Sequence, residues 1–358
     1  MKKVLKFILI LLLVLVAFLA IFAIIIKIKN ESFIGSTDKN FVAYLENNKA
    51  IFNHKTLTDG DRQSIFNDNV YDNNIILLGE THGYADVQTI DKALILHFNK
   101  IKGTRYYIAE MDSLVAGSLN TFLSGNEKDL SLLQDVVKSV KKRIPQQGGK
   151  ELFQKWSDIY DYNKSLPDSA KITVIGVDKN LGDTTKISRD SAMIVNFTNS
   201  VKELKLENES FYGLFGMFHT LQEGINKNNA RSFAARLKSR GFDIKSIACL
   251  NIESEVYFPK MEEFPSPEDE KLTLLNMNGP LVIVNGINDL KEASEKNTIT
   301  LFNLERDDSP YRNSTRLMQI KTNFLNQDMS PYDETLSATD FMQYIIFLRG
   351  AKPITPLE

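Results

Sequence analysis

Residues that make covalent or metallic cross-links are scarce in this sequence. It has one cysteine, Cys249, in 358 residues. That excludes an intramolecular disulfide and any zinc site built from cysteines. Four histidines exclude a His-rich metal cage, so each can be considered singly. No Gly-x-Ser-x-Gly elbow, P-loop or Gly-x-Gly-x-x-Gly run occurs, which removes the usual serine-hydrolase and nucleotide-binding readings. Residues 1–29 hold five lysines and no acid. Against a formal charge of −2 overall, residues 30–358 therefore carry −7. A mildly acidic body argues against nucleic acid as a partner, because phosphate binding takes concentrated Lys and Arg. Neither internal repeats nor low-complexity tracts appear. With 43% hydrophobic and 25% charged residues, the chain is not broadly disordered.

Residues 7–26 contain no polar side chain at all. Twenty residues at about 1.5 Å each make a helix of about 30 Å, the thickness of a bilayer's hydrocarbon core. A cleaved signal peptide usually has a shorter apolar region, of about 7–15 residues, and a small-x-small site. Here Ala17, Ala20 and Ala23 are three apart and three isoleucines follow, so an uncleaved single-pass anchor is expected. A lipoprotein anchor is excluded, since no cysteine lies nearby. Lys2, Lys3 and Lys6 precede the span; Lys27, Lys29 and Glu31 follow it. The positive-inside bias favours a cytoplasmic N-terminus. Residues 30–358 are then extracytoplasmic, where many bacterial proteins manage without disulfides.

Residues 30–72, rich in Asn, Asp and Lys, read as a tether and lead-in. From 73 to 358 short apolar runs alternate with longer helical stretches. The runs are 75–79, 106–110, 172–177, 213–218, 246–251, 281–284, 299–304 and 344–348. Several are nearly continuous in Ile, Leu and Val, as strands covered on both faces are. Apolar residues at 87, 90, 94, 98 and 101 have helical spacing. Residues 113–143 and 186–206 also read as helical. This pattern predicts an α/β domain: a mostly parallel central sheet flanked by helices, preceded by one N-terminal transmembrane helix. An acidic, Pro-containing loop (259–271) and a long polar stretch (305–340) read either as lids or as surface insertions.

In open α/β sheets, ligands bind beyond the carboxyl ends of the strands. Four of the predicted strands finish at ionisable residues there: Glu80 and His82, then Glu110, then Asp178, then His219. Parallel neighbours would bring these to one rim. Glu80 and His82 are two apart, and in an extended chain such residues point to one side. A carboxylate beside an imidazole orients the ring and makes it more basic. Such a histidine can take a proton from water. The same five residues, 79–83, also read as a polar turn capped by Thr81. Arg189 opens a helix and could neutralise Glu110, or could form a surface ion pair. His97 is in phase with Ile90, Leu94 and Ile101 and reads as a core histidine. His54 reads as solvated, and Cys249 as inert packing.

At these residues the sequence resembles the erythromycin esterase-like family. "IILLGETHG" (75–83) is similar to the family's opening signature. "YYIAEMD" (106–112), the stretch 156–178 ending in Gly-x-Asp, "RDSAMIVN" (189–196) and "GLFGMFH" (213–219) follow in the family's order. The resemblance implies hydrolysis of an ester-type bond on a small-molecule substrate, with no obligatory cofactor. His82 would be the general base, with Glu80 and Glu110 as supporting carboxylates, joined by Asp178. Arg189 would be a charge partner, and His219 would stabilise the oxyanion. Only Thr81 separates Glu80 from His82, where the esterases usually have two residues. The shorter form is similar to Tiki-type proteases and haem-binding ChaN-like proteins of the wider superfamily. That keeps open a divalent metal or haem held by His82, His219, Glu80 and Glu110. Arg189 favours the metal-free reading, because a fixed cation discourages a metal and suits an anionic intermediate. Neither the substrate nor the oligomeric state is specified.

Overall fold

The computed structural model describes residues 2–54, 57, 65–260, 266–323 and 328–357. Parts of the lead-in (55–56 and 58–64), the acidic loop (261–265) and the polar stretch (324–327) thus lie outside the described residues. Among the described residues, one eight-stranded sheet forms the centre. Its strands are β1 (Lys49–Ile51), β2 (Ile75–Glu80), β3 (Tyr106–Ala109), β4 (Thr173–Gly176), β5 (Phe211–Gly216), β6 (Ile244–Ile252), β10 (Ile299–Asn303) and β12 (Tyr344–Arg349). Two short hairpin-like sheets sit above it: β7 (Val256–Tyr257) with β8 (Lys271–Leu272), and β9 (Val282–Val284) with β11 (Ile320–Thr322). Strand order in the large sheet is β1-β10-β12-β6-β2-β5-β3-β4. Every pair from β12 to β4 is parallel; β1 and β10 add an antiparallel edge. The expected mostly parallel sheet is therefore present.

Alternation along the strands divides the core. Ile76 and Leu78 of β2 face one layer, packed under α4 (Ala85–Lys102), α5 (Ser113–Ser124), α6 (Leu130–Arg143) and α7 (Lys150–Lys164). Ile75 and Leu77 face the other, packed under α8 (Arg189–Leu204) and α9 (Phe233–Lys238). Near the antiparallel edge, α2 (Lys39–Asn47), α10 (Ile287–Glu292) and α11 (Ala338–Phe341) close that second face, while α3 (Asp68–Asp72) leads into β2. Residues 113–143, expected as one helical stretch, form two helices. Gly125 ends the first, and the Asp129 carboxylate accepts the Ser131 and Leu132 N–H groups to start the second. The α7 helix was not anticipated, although it buries Leu152, Trp156, Ile159 and Tyr160 at helical spacing.

Four further expectations are corrected. The run 213–218 leaves the sheet at Gly216, and Met217–Thr220 make a 3-10 turn. That turn crosses Gly79 so closely that a Cβ there would clash with Thr220 Oγ1. The run 281–284 does not join the main sheet, because β9 pairs with β11 instead. Residues 30–72 do more than tether: β1 extends the sheet edge, and Tyr44 and Leu45 of α2 enter the core. Likewise the 305–340 stretch is packed in, with Tyr311, Leu317, Met318 and Ile320 buried.

Helix α1 (Lys2–Ile34) has 33 residues and is long and apolar enough to cross a membrane. Its last turns touch the globular body: Gly286 N–H donates to Ile34 O at 2.9 Å, and Ile34 is buried.

Candidate active site

Strands β2, β5, β3 and β4 are consecutive neighbours in the sheet. Their carboxyl ends carry Glu80, the turn with His219, Glu110 and Asp178, so topology alone gathers four of the expected residues on one rim. Above this rim lies a cavity of about 470 Å³, a size suited to a small-molecule ligand. Glu80, His82, Glu110, Arg189 and His219 all line it. Asp178 does not. It lies buried behind Arg189 and accepts from that residue's Nε at 3.2 Å and from Arg143 Nη1 at 3.0 Å. Asp178 therefore fixes the position of a cation and touches nothing in the cavity.

Glu80 and His82 form the pair expected from their spacing. His82 Nδ1 lies 3.0 Å from Glu80 Oε1. The Glu80 side chain is wholly buried, whereas that of His82 is 26% exposed. The carboxylate is thus fixed and the imidazole reaches the cavity. With its Nδ1 proton directed at Glu80, the ring presents Nε2 as the acceptor. Gln147 also donates to Glu80 Oε1 and lies 3.2 Å from His82 Nδ1. No cap role falls to Thr81; Tyr84 occupies the N-cap of α4.

His219 is held in the same way from the opposite side. Its Nδ1 lies 2.7 Å from Asp190 Oδ1, and its Nε2 lies 3.7 Å from Glu110 Oε1. The two imidazoles meet over Gly216. A Cβ on that residue would sit 3.2 Å from His82 Nε2 and 3.6 Å from His219 Cδ2. Glu110 bridges the site: its Oε2 accepts the Gly216 N–H at 2.6 Å, and its Oε1 accepts Arg189 Nη2 at 2.7 Å. Arg189 is the partner the sequence proposed for Glu110.

Burial opposes charging of His82, but Glu80 beside it, and then Glu110, outweigh burial and raise its pKa above 6.5. For His219, burial is again outweighed, here by the Asp190 hydrogen bond and by Glu110, and its pKa is also raised. Arg189 is held firmly cationic: burial is overcome by Asp178 and Glu110.

Among the described residues, no group of three or more His, Cys, Asp or Glu side chains is placed to hold a metal ion. Glu110 is turned toward Arg189 and a backbone N–H, and Glu80 toward His82 and Gln147. This set does not make a ready metal cage.

Sequence reasoning missed Gln147, Asp190 as the partner of His219, and Arg143. It also missed the cavity's apolar wall of Phe258, Leu272, Leu275, Met277, Leu281 and Val282. Asp190 alone had a visible signal, next to Arg189 at a helix start. Two further expected assignments, His97 and Cys249, stand apart from the site. His97 is fully buried and bonded at both nitrogens, to Tyr71 OH at 3.1 Å and Leu57 O at 2.9 Å. Cys249 is buried in β6.

No family model matches the chain, and no curated protein matches it. Solved structures do. A protein from Bacillus cereus aligns with a TM-score of 0.63 at 12% identity, covering 90% of this chain and 100% of its own. A succinoglycan biosynthesis protein aligns with a TM-score of 0.60 at 12% identity, covering 90% and 99%. The chain shares their fold. A mutant of the erythromycin esterase EreC, in its open conformation, also aligns, with a TM-score of 0.48 at 12% identity over 85% of this chain and 98% of that one.

Proposed function

We propose that the chain is a membrane-anchored hydrolase that cleaves an ester-type bond with water activated by His82. The observation that carries this reading is the buried Glu80 aligning a cavity-facing imidazole opposite Arg189 and His219. The order of motifs resembling the erythromycin esterase-like family supports it. Water gives a proton to His82 Nε2 while its oxygen adds to the substrate carbonyl carbon. Negative charge then grows on the carbonyl oxygen, where Arg189 and His219 supply positive charge and a donor. Collapse of this intermediate breaks the ester C–O bond, and His82 returns the proton to the departing alcohol. Helix α1 serves as the anchor, with residues 30–358 extracytoplasmic.

The test is ester hydrolysis by the full chain in the presence of EDTA. His82→Ala should lose about 10²–10⁴-fold in rate. Full activity in His82→Ala would remove the site assignment. Activity that disappears in EDTA and returns with added divalent metal would replace this mechanism with a metal-dependent one.

A further inference from the structure

The cavity is divided by chemistry. One side holds Glu80, His82, Glu110, Arg189 and His219; the other is the apolar wall. That wall does not come from the sheet. It comes from the segment after β6, and β9 and β11 contribute Val282, Ile320 and Thr322 to it.

Residues in and just beyond the same two strands hold the end of α1. Asn30 Nδ2 donates to Pro280 O at 3.3 Å, and Asn285 Nδ2 donates to Phe33 O at 2.8 Å. Asn323 Nδ2 donates to Asn30 Oδ1 at 3.0 Å, and Lys321 Nζ stands 4.3 Å over the Phe33 ring. The unbroken apolar run of α1 ends at residue 26, four residues before Asn30. Four helical residues span about 6 Å. Lys27 and Lys29 fall in that interval, at the level where lysines meet lipid headgroups. With α1 in a bilayer, the apolar wall therefore stands at the membrane surface. A flexible tether would be enough to retain an enzyme acting on soluble compounds. Here the anchor is instead bolted to the substrate wall.

We infer that the substrate is a lipid ester of the bilayer, whose acyl chain lies along the Leu272–Leu275–Val282 wall while its ester carbonyl reaches His82. This rests on the hydrolase reading above and names its substrate class. The step is the one already given: water adds to the acyl carbon, the C–O bond to the lipid alcohol breaks, and a fatty acid and an alcohol leave.

The experiment uses the full chain in phosphatidylcholine vesicles with 4-nitrophenyl acetate, butyrate, octanoate and dodecanoate. Burying each added methylene should raise kcat/KM about fourfold until the wall is filled. Leu275→Gln should lower the dodecanoate-to-acetate ratio by about tenfold or more. Ester partition into the vesicles is common to both proteins and cancels in that comparison. An unchanged ratio, with hydrolysis intact, overturns the lipid assignment and leaves the hydrolase reading standing. A second measurement needs no turnover. A fatty acid carrying a tail diazirine is photolysed with His82→Ala protein in the same vesicles. Label on peptides from 272–282 supports the proposal; label confined to α1 overturns it. If no ester is cleaved by the unmodified chain, the hydrolase reading fails, and the labelling still decides whether the wall takes an acyl chain.

Discussion

Two histidines of this chain share a residue type and differ in every consequence. His82 has a buried carboxylate on one nitrogen and a cavity at the other; His97 has protein on both. Replacing His97 with Ala should lower stability by about 2–4 kcal/mol, through a cavity and lost hydrogen bonds. A denaturant titration would show this, and turnover per folded molecule should change little. His82→Ala should reverse that pattern. Gly216→Ala should hold the fold yet cut activity by about tenfold or more, since its Cβ would press on His82 Nε2 from 3.2 Å. Measuring kcat against thermal midpoint separates these outcomes.

The raised pKa of His82 also fixes a pH dependence. A general base acts when neutral, so kcat/KM should rise with pH through a pKa above 6.5, and it should fall again at higher pH as His219, whose Nδ1 is held by Asp190, loses the Nε2 proton that makes it a donor. Glu80→Gln removes the charge that raises the His82 pKa, so the rising limb should move to lower pH, and the rate loss should be smaller than in His82→Ala. Stability runs the other way. A histidine whose folded pKa is raised contributes stability in full below its unfolded value of 6.5, and that contribution fades as pH climbs through the folded value. Thermal midpoints measured across this window should therefore fall slightly as activity appears.

Among the elements, α4 and α7 are joined by a buried ion pair. Lys155 Nζ lies 2.7 Å from Asp91 Oδ2, and Tyr107 OH donates to the same oxygen at 2.8 Å. Removing only the cation strands a buried charge, so Lys155→Met should cost about 3–5 kcal/mol in a denaturant titration. Lys155→Met with Asp91→Asn should cost less than the single change, because no unpaired charge remains. The α8 helix has a different task. Its first two residues, Arg189 and Asp190, reach the site in opposite directions, one to Glu110 and one to His219. One helix start thus places both the cation and the orienting carboxylate.

At the scale of the whole molecule, the β9–β11 unit joins the long apolar helix α1 to the cavity above the strand ends. A chain beginning at residue 28 keeps Asn30, Phe33 and Ile34 on that unit and should be soluble and folded. A chain beginning at residue 36 loses them. It should retain the sheet, since β1 starts at Lys49, but its β9–β11 region should open. Faster amide hydrogen exchange over 281–285 and 320–323, with unchanged exchange in β2 and β5, is the expected signature. Equal protection in both chains would show that α1 does not steady the wall.

Much of this was legible along the chain because it is written at short range. Short apolar runs marked the strands and a 3.6 period the helices, and four of the strand ends carried an ionisable residue. Even the Glu80–His82 contact needed only a spacing of two. The run 281–284 was misplaced because apolarity alone says that a strand is covered, never which sheet covers it. Gln147 and Arg143 were invisible for a related reason. They reach Glu80 and Asp178 across 67 and 35 residues of chain, and no local pattern encodes such a contact. The apolar wall is the extreme case. Its residues look like ordinary core positions in the sequence, and only the tertiary packing above the strand ends places them beside a cavity. Local periodicity, set by backbone geometry, thus determined the elements and the rim. Tertiary packing, which pairs residues distant in sequence, decided what faces that rim and what holds it in place.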